Sequence, residues 1–398
     1  MRLSIQLGLD NLLKTHLLRP SNPNYASVSR QPLRGLAASL VLAHHVLEES
    51  QPLFGGRIPS EFVLFGASGV DLFFAISGFI MYYSNSDRFG RQGASYDFFV
   101  RRLIRITPLY WLCTLAIASL WLGGLYKSKV ITWLSLGESL LFLPNANIVL
   151  GAGWTLNFEL YFYAIVAISV MLGRIRYGIA GVLSSIPIIF VLGFSLPQGA
   201  VRSFLTDPIA LEFEFGFALA AAFQSGYLPN ASGGYGPLLF GISGLVLGTF
   251  CGSANGTTGL VPEVRFLFWG VPAVAILTSA LWMRDVETSV GRLLVVLGDA
   301  SYSVYLTHGF VMTAYASFIK HDLLSGVPRV VCMLVPILIS IAIGLITYQF
   351  IERPAAERLN AWWKKRTRSA AAPNQSDRRL GCREVQQATL RQAGRFPP

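Results

Sequence analysis

The chain has 398 residues, 53% of them hydrophobic and only 13% charged, with a mean hydropathy of +0.51. A soluble domain carries about 25% charged residues, so this balance excludes an ordinary soluble fold and points to an all-α, polytopic transmembrane bundle. The net charge of +11 does not call for a nucleic-acid partner. From Arg353 onward, eleven Arg and Lys face three acids (Glu357, Asp377 and Glu384), so +8 of the excess sits in a basic tail. Such a tail marks a cytoplasmic end and suits anionic lipid headgroups.

In chain order, residues 1–30 carry Pro20, Pro23 and scattered polar residues without a signal-type apolar core. They read as a cytoplasmic N-terminal segment, and the first span is expected to act as the insertion signal. Apolar runs then predict ten spans, at 33–47, 66–84, 104–122, 154–173, 178–195, 207–225, 236–252, 264–283, 299–319 and 328–351. They make up a single transmembrane domain over 31–355. The first span holds Arg34, His44 and His45, so neighbouring helices should shield it from lipid. The stretch 133–150 ends in Leu143-Pro144-Asn145-Ala146-Asn147, which breaks a helix, and reads as re-entrant or interfacial. Gly252–Thr258 reads as a polar external loop. Residues 356–398 form the basic tail, expected to be disordered from about Thr367.

Loop charges orient the bundle. With ten spans, Arg88, Arg91, Arg101, Arg102, Arg174, Arg176, Arg284, Arg292 and the tail share one side with the N-terminus. Glu48, Glu49, Glu61, Glu263 and Asp322 fall on the other, with Lys127 and Lys129 as exceptions. The positive-inside rule therefore places both termini in the cytoplasm. The four cysteines, Cys113, Cys251, Cys332 and Cys382, lack metal or redox spacing and read as structural thiols. No metal site and no tightly bound cofactor is expected.

Ionisable residues at membrane depth are functional candidates by default. They sort into two layers. The inner one holds Arg34, Arg101, Arg102 and Arg105, with Ser301, Tyr302 and Ser303 at similar depth. Arg102 and Arg105 share a helix face, and guanidinium groups grip phosphate oxygens in a fork. For Arg101 a helix-end anchor is the simpler expectation. The outer layer holds His44, His45, Asp71 and Glu159. A histidine with a carboxylate partner is a general-base arrangement. Arg34 and His45 are eleven residues apart, about 16 Å of helix and close to three full turns, so both can face one cavity.

These residues carry a resemblance. Leu33-Arg34-Gly35-Leu36-Ala37-Ala38 followed by His45 resembles the first-helix signature of the membrane acyltransferase 3 family. Its spacing, an arginine, ten residues and a histidine, selects His45 over His44. The run Gly69 to Phe79 (GVDLFFAISGF) resembles the second signature, and Arg101 to Tyr110 (RRLIRITPLY) the third. Gly153 to Tyr163 (GWTLNFELYFY) is similar to the fourth-helix motif of the branch that modifies exopolysaccharide and Nod factor. Gly298 to His308 (GDASYSVYLTH) and Glu352-Arg353-Pro354 resemble the two closing elements.

The resemblance spans about Leu33 to Pro354. It implies O-acyl transfer, usually of acetyl, from cytoplasmic acyl-CoA to a sugar hydroxyl. The acceptor would be an exopolysaccharide or lipid-linked glycan in the bacterial cytoplasmic (inner) membrane, with glycan-assembly machinery as a partner. On that reading Arg102 and Arg105, with Arg34, hold the donor phosphates. His45 deprotonates the acceptor, Asp71 or Glu159 orients His45, and Tyr302 or Ser303 binds the donor or oxyanion. No nucleophile motif suggests a covalent acyl-enzyme. The alternatives are a transporter of a polar metabolite or glycan unit, although no paired broken helices mark the two halves, and a non-catalytic subunit of a glycan-assembly complex.

Overall fold

The computed structural model describes residues 30–125, 130–172, 174–227, 235–254, 262–282 and 288–371. The expected N-terminal segment to residue 29, the tail beyond 371, most of the expected 252–258 loop, and Lys127, Lys129, Arg284 and Cys382 lie outside them. Every regular element among the described residues is helical.

In order these are α1 (Arg30–Ser50), α2 (Ser60–Ala67), α3 (Gly69–Tyr83), α4 (Ala94–Leu122), α5 (Trp133–Leu140), α6 (Gly153–Val170), α7 (Ile175–Gly193) and α8 (Ala200–Leu205). Then come α9 (Ala210–Gln224), α10 (Tyr235–Ala254), α11 (Pro262–Arg265), α12 (Val271–Trp282), α13 (Ser289–Asp299), α14 (Ser301–Lys320), α15 (Arg329–Thr347) and α16 (Arg353–Ala371). Wide π turns at Phe266–Gly270 and Tyr348–Glu352 join α11 to α12 and α15 to α16.

Six helices are long and apolar enough to cross a membrane: Ser60–Tyr83, Ala94–Leu122, Gly153–Val170, Ile175–Gly193, Tyr235–Gly252 and Arg329–Thr367. Each overlaps an expected span. The other four expected spans fold as helices that miss one criterion or the other. The α9 helix has 15 residues, and Phe266–Trp282 is apolar but short. Both α1 (21 residues) and α14 (20 residues) are long enough but too polar. Packing explains this. The first turns of α14 are buried on all sides, Ser301, Ser303, Thr307 and His308 included, and α1 lies against α13, α14 and α3. A helix screened by neighbours need not be apolar all round. Residues 133–150 do not cross: they form the eight-residue α5 and an irregular segment.

Small residues set the closest helix contacts. Gly78 of α3 faces the Phe213 backbone of α9, and Gly216 of α9 faces the Ala75 carbonyl of α3. Gly35 of α1 and Gly298 of α13 form a second reciprocal pair, against Leu294 and Gln31. A Cβ at any of these four positions would collide with backbone. Lipid tails are as apolar as leucine, so close packing replaces the hydrophobic drive between helices. Around α3 and α9 an aromatic core closes the interior: Phe74 stacks on Phe213 at 4.3 Å and Phe162 on Phe213 at 4.9 Å.

Loop contacts give the bundle two faces. Ser95 donates to the Ala167 carbonyl at 2.6 Å, and Gln224 donates to the Tyr83 carbonyl at 3.2 Å. These place the start of α4 and the ends of α3, α6 and α9 on one side. Residues 123–125, 130–152 and 194–209 then lie on the other. The first is called the arginine face and the second the histidine face, since α1 runs from Arg34 toward His45.

Candidate active site

The α4 helix is 29 residues long, about 43 Å, which exceeds the roughly 30 Å hydrocarbon core. Its N-terminal turns carry Arg101, Arg102 and Arg105 at the arginine face. There they line a cavity of about 610 Å³ with Arg34, Arg88, Asp299, Glu352 and Arg353. That volume is typical of small-molecule sites, about 300–1,000 Å³.

Arg101 does what an anchor does. Its Nε donates to both oxygens of Asp97 at 2.9 Å, and Asp97 also accepts from Arg88 at 2.9 Å and from Trp363 Nε1 at 2.8 Å. This knot ties α4 to α16. Arg102 lies over the rings of Phe98 and Tyr163, at 5.5 and 5.7 Å. Arg34 donates from Nε and Nη2 to Ser301 Oγ, at 3.2 and 3.0 Å. The close approach of α1 and α13 at Gly35 and Gly298 brings these two residues together. Among the described residues no ion pair neutralises Arg34, Arg102 or Arg105. Glu159 and Glu352 stand near them without forming an ion pair, and the cavity wall keeps an excess of guanidinium groups that favours an anion.

Arg34 and Arg105 also line a second, narrow cavity of about 50 Å³, deeper in the bundle. Its other walls include Phe73, Ser77, Thr155, Glu159, Tyr302 and Tyr305. Glu159 accepts from the Tyr163 hydroxyl and from Ser77 Oγ. The expected outer-layer position of Glu159 is therefore corrected. Its side chain projects into the passage beside Arg34 and Arg105, and its bonded partners are Ser77 and Tyr163, not His45. Tyr305 continues the line. Its hydroxyl pairs with Thr155 at 2.9 Å, and its ring lies 5.8 Å from His308.

His308 stacks on His45 at 5.1 Å with an interplanar angle of 26°. His45 Nδ1 lies 3.3 Å from Glu48 Oε2, one turn along α1. The neighbouring His44 places Nδ1 2.7 Å from the Val63 carbonyl and Nε2 3.8 Å from the same Glu48 oxygen. Glu48 lies past the end of the expected span. Its hydrogen bond with His45 holds its carboxyl below the usual range, although burial pushes the other way. Glu49 is pushed up by burial and by the Glu48 charge.

Three further expected roles meet different geometry. Asp71 is fully buried and bound in a fork by Arg265, at 3.0 and 2.9 Å, so it does not orient His45. Arg265 in turn lies 5.1 Å over Trp269, in the π turn before α12. A carboxylate inside a bundle takes the strongest cation within reach, and a forked guanidinium outcompetes an imidazole. Tyr302 donates to the Ile106 carbonyl at 2.5 Å, which pins α14 to α4 at the level of the passage. Ser303 donates to Glu352 Oε2 at 2.5 Å.

Glu48, His308, Tyr305 and Arg265 are not among the site residues expected from the sequence. Glu48 was legible as an i, i+3 partner of His45, and Arg265 as a charge inside an apolar run. His308 closes one of the quoted motifs, but no local spacing ties it to His45. The six motifs nevertheless converge. Arg34 meets Ser301, Ser303 meets Glu352, Ser77 meets Glu159, and Arg105 stands among them.

Comparison with known proteins agrees with this convergence. A family described as an acyltransferase domain, acyltransferase 3, matches residues 33–348. The chain is 34% identical over 303 residues to an exopolysaccharide production protein, ExoZ, of Rhizobium meliloti (strain 1021), covering 74% of this chain and 90% of that one. No solved structure matches. The chain thus belongs to the acyltransferase 3 family, and it is an acyltransferase with several membrane-crossing helices.

Proposed function

We propose that the protein is an O-acyltransferase of the bacterial cytoplasmic membrane. It moves an acyl group, acetyl by the family's usual chemistry, from cytoplasmic acyl-CoA to a hydroxyl of an exopolysaccharide. The observation that carries this reading is the unbroken line of side chains from the cationic cavity, past Arg34 and Arg105, along Tyr305 and His308, to His45. The name of the Rhizobium relative supports the acceptor class. On this reading ten helices cross, with both termini in the cytoplasm and the arginine face inward.

The cavity arginines would hold the phosphates of the donor, and its thin acyl-pantetheine arm would enter the narrow passage. His45 takes the proton of the acceptor hydroxyl as its oxygen attacks the thioester carbonyl. The carbon–sulfur bond breaks, and the departing thiolate recovers the proton from His45. Glu48, on Nδ1, leaves Nε2 for this exchange.

Membranes containing the protein, given acetyl-labelled acetyl-CoA, should place label in alkali-labile esters of the exopolysaccharide. His45→Ala at equal expression should abolish that transfer. Transfer that persists in the variant would remove His45 from the mechanism, and absence of transfer by the wild-type protein would sink the reading itself.

A further inference from the structure

A second large cavity, about 590 Å³, opens on the histidine face between α5, the 144–147 loop and the 196–202 segment. It stands apart from the residues used above. Thr132, Glu138, Asn145, Asn147, Gln198 and Arg202 supply its polar groups. One carboxylate and one guanidinium leave the wall without net charge, so a phosphate or polyanion gains nothing there. Amide, hydroxyl and carboxylate groups together offer the paired donors and acceptors that vicinal hydroxyls need. Among the described residues, the side chains of Glu138, Asn147 and Gln198 make no hydrogen bond and are available to a ligand.

The frame around them is preorganised. Thr132 and Ser135 cap α5 reciprocally. Phe142 holds φ +57°, unusual for a bulky residue, with its ring buried 4.7 Å from Tyr110. Tyr110 donates to the Ser139 carbonyl at 3.0 Å, and Ser139 Oγ accepts from the Val149 amide at 3.1 Å. Both ends of the 143–148 loop are therefore fixed, and Asn145 turns it through the Asn147 amide at 3.0 Å. The same loop leads into α6, where Thr155 holds Tyr305 beside His308.

We infer that this cavity is a binding subsite for sugar residues of the acceptor glycan, remote from the hydroxyl that reacts at His45. The inference rests on the proposed acyl transfer. It is tested with full-length protein in detergent, comparing wild type with Asn147→Ala/Gln198→Ala, two substitutions at exposed positions. Acceptors are long exopolysaccharide fragments and a disaccharide from the same polymer. The KM for the long fragments should rise about tenfold, the weight of two hydrogen bonds, with the acyl-CoA and disaccharide KM values unchanged. An unchanged KM for long fragments overturns the subsite while leaving acyl transfer intact. If wild type transfers nothing, the proposed function fails, and saturation-transfer NMR with the same fragments decides the cavity. A signal weakened in the variant supports the subsite, and no signal or an equal signal overturns it.

Discussion

Arg34 and Ser301 are 267 residues apart in the chain, yet the guanidinium of one donates twice to the hydroxyl of the other, at 3.2 and 3.0 Å. The contact joins the helix that carries His45 to the helix that carries His308. It also holds Arg34 at the junction of the two cavities along the passage.

Arg34→Lys keeps the charge and loses the fork. We expect the KM for acyl-CoA to rise roughly tenfold, the cost of one charge-assisted hydrogen bond of about 1.5 kcal/mol, while the KM for glycan stays put. Steady-state kinetics with each substrate varied in turn reads this. An equal rise in both KM values would place Arg34 in the fold and not on the donor.

Glu48 is the carboxylate the structure puts on His45. Glu48→Gln retains the shape but not the charge that stabilises the protonated ring during transfer. We expect kcat to fall by at least about tenfold, up to the roughly 10⁴-fold loss seen when the carboxylate of a catalytic triad is neutralised, with both KM values preserved. Asp71→Asn made in parallel separates the two carboxylates, because only Glu48 touches the imidazole.

The Asp71–Arg265 pair is expected to matter to folding. Removing Asp71 strips the buried Arg265 of its forked partner and leaves Glu212 as its nearest carboxylate. Breaking a buried pair in this way costs about 3–5 kcal/mol, whereas replacing both partners by apolar residues of similar volume is often neutral. Asp71→Asn should therefore lower the thermal unfolding midpoint in detergent, and Asp71→Leu/Arg265→Met should restore much of it. Activity returning with stability would give the pair a scaffolding role, whereas a stable but inactive double variant would return Asp71 to the chemistry.

Gly216→Val tests the α3–α9 contact. The added side chain would meet the Ala75 carbonyl, and overpacking of this kind costs about 1–3 kcal/mol. A lower unfolding midpoint, measured by tryptophan fluorescence, is the expected result. An unchanged midpoint would mean that the two helices can part without loss.

Topology is accessible to labelling. In a cysteine-free background, a cysteine at Gln198 should react with an impermeant maleimide added outside spheroplasts, and one at Asn360 only after permeabilisation. Labelling of both from the same side would overturn the ten-span arrangement.

Helix content, the apolar runs and the arginine–histidine spacing were all legible in the sequence, because they are local. Hydropathy depends on composition, and residues eleven apart face one way by helical period alone. Arg101 as an anchor was legible for the same reason, with Asp97 one turn before it. Partner choice was not. Asp71 and Glu159 were each read as candidates to orient His45, because depth along a helix was all the sequence offered. Rotation and tilt, set by glycine contacts such as Gly78 on Phe213 and Gly35 on Leu294, decide which side chains meet. Only the tertiary structure gave Asp71 to Arg265, Glu159 to the passage, and Glu48 and His308 to His45. A buried charge takes the strongest partner within hydrogen-bond reach, and which partners are within reach is a property of packing.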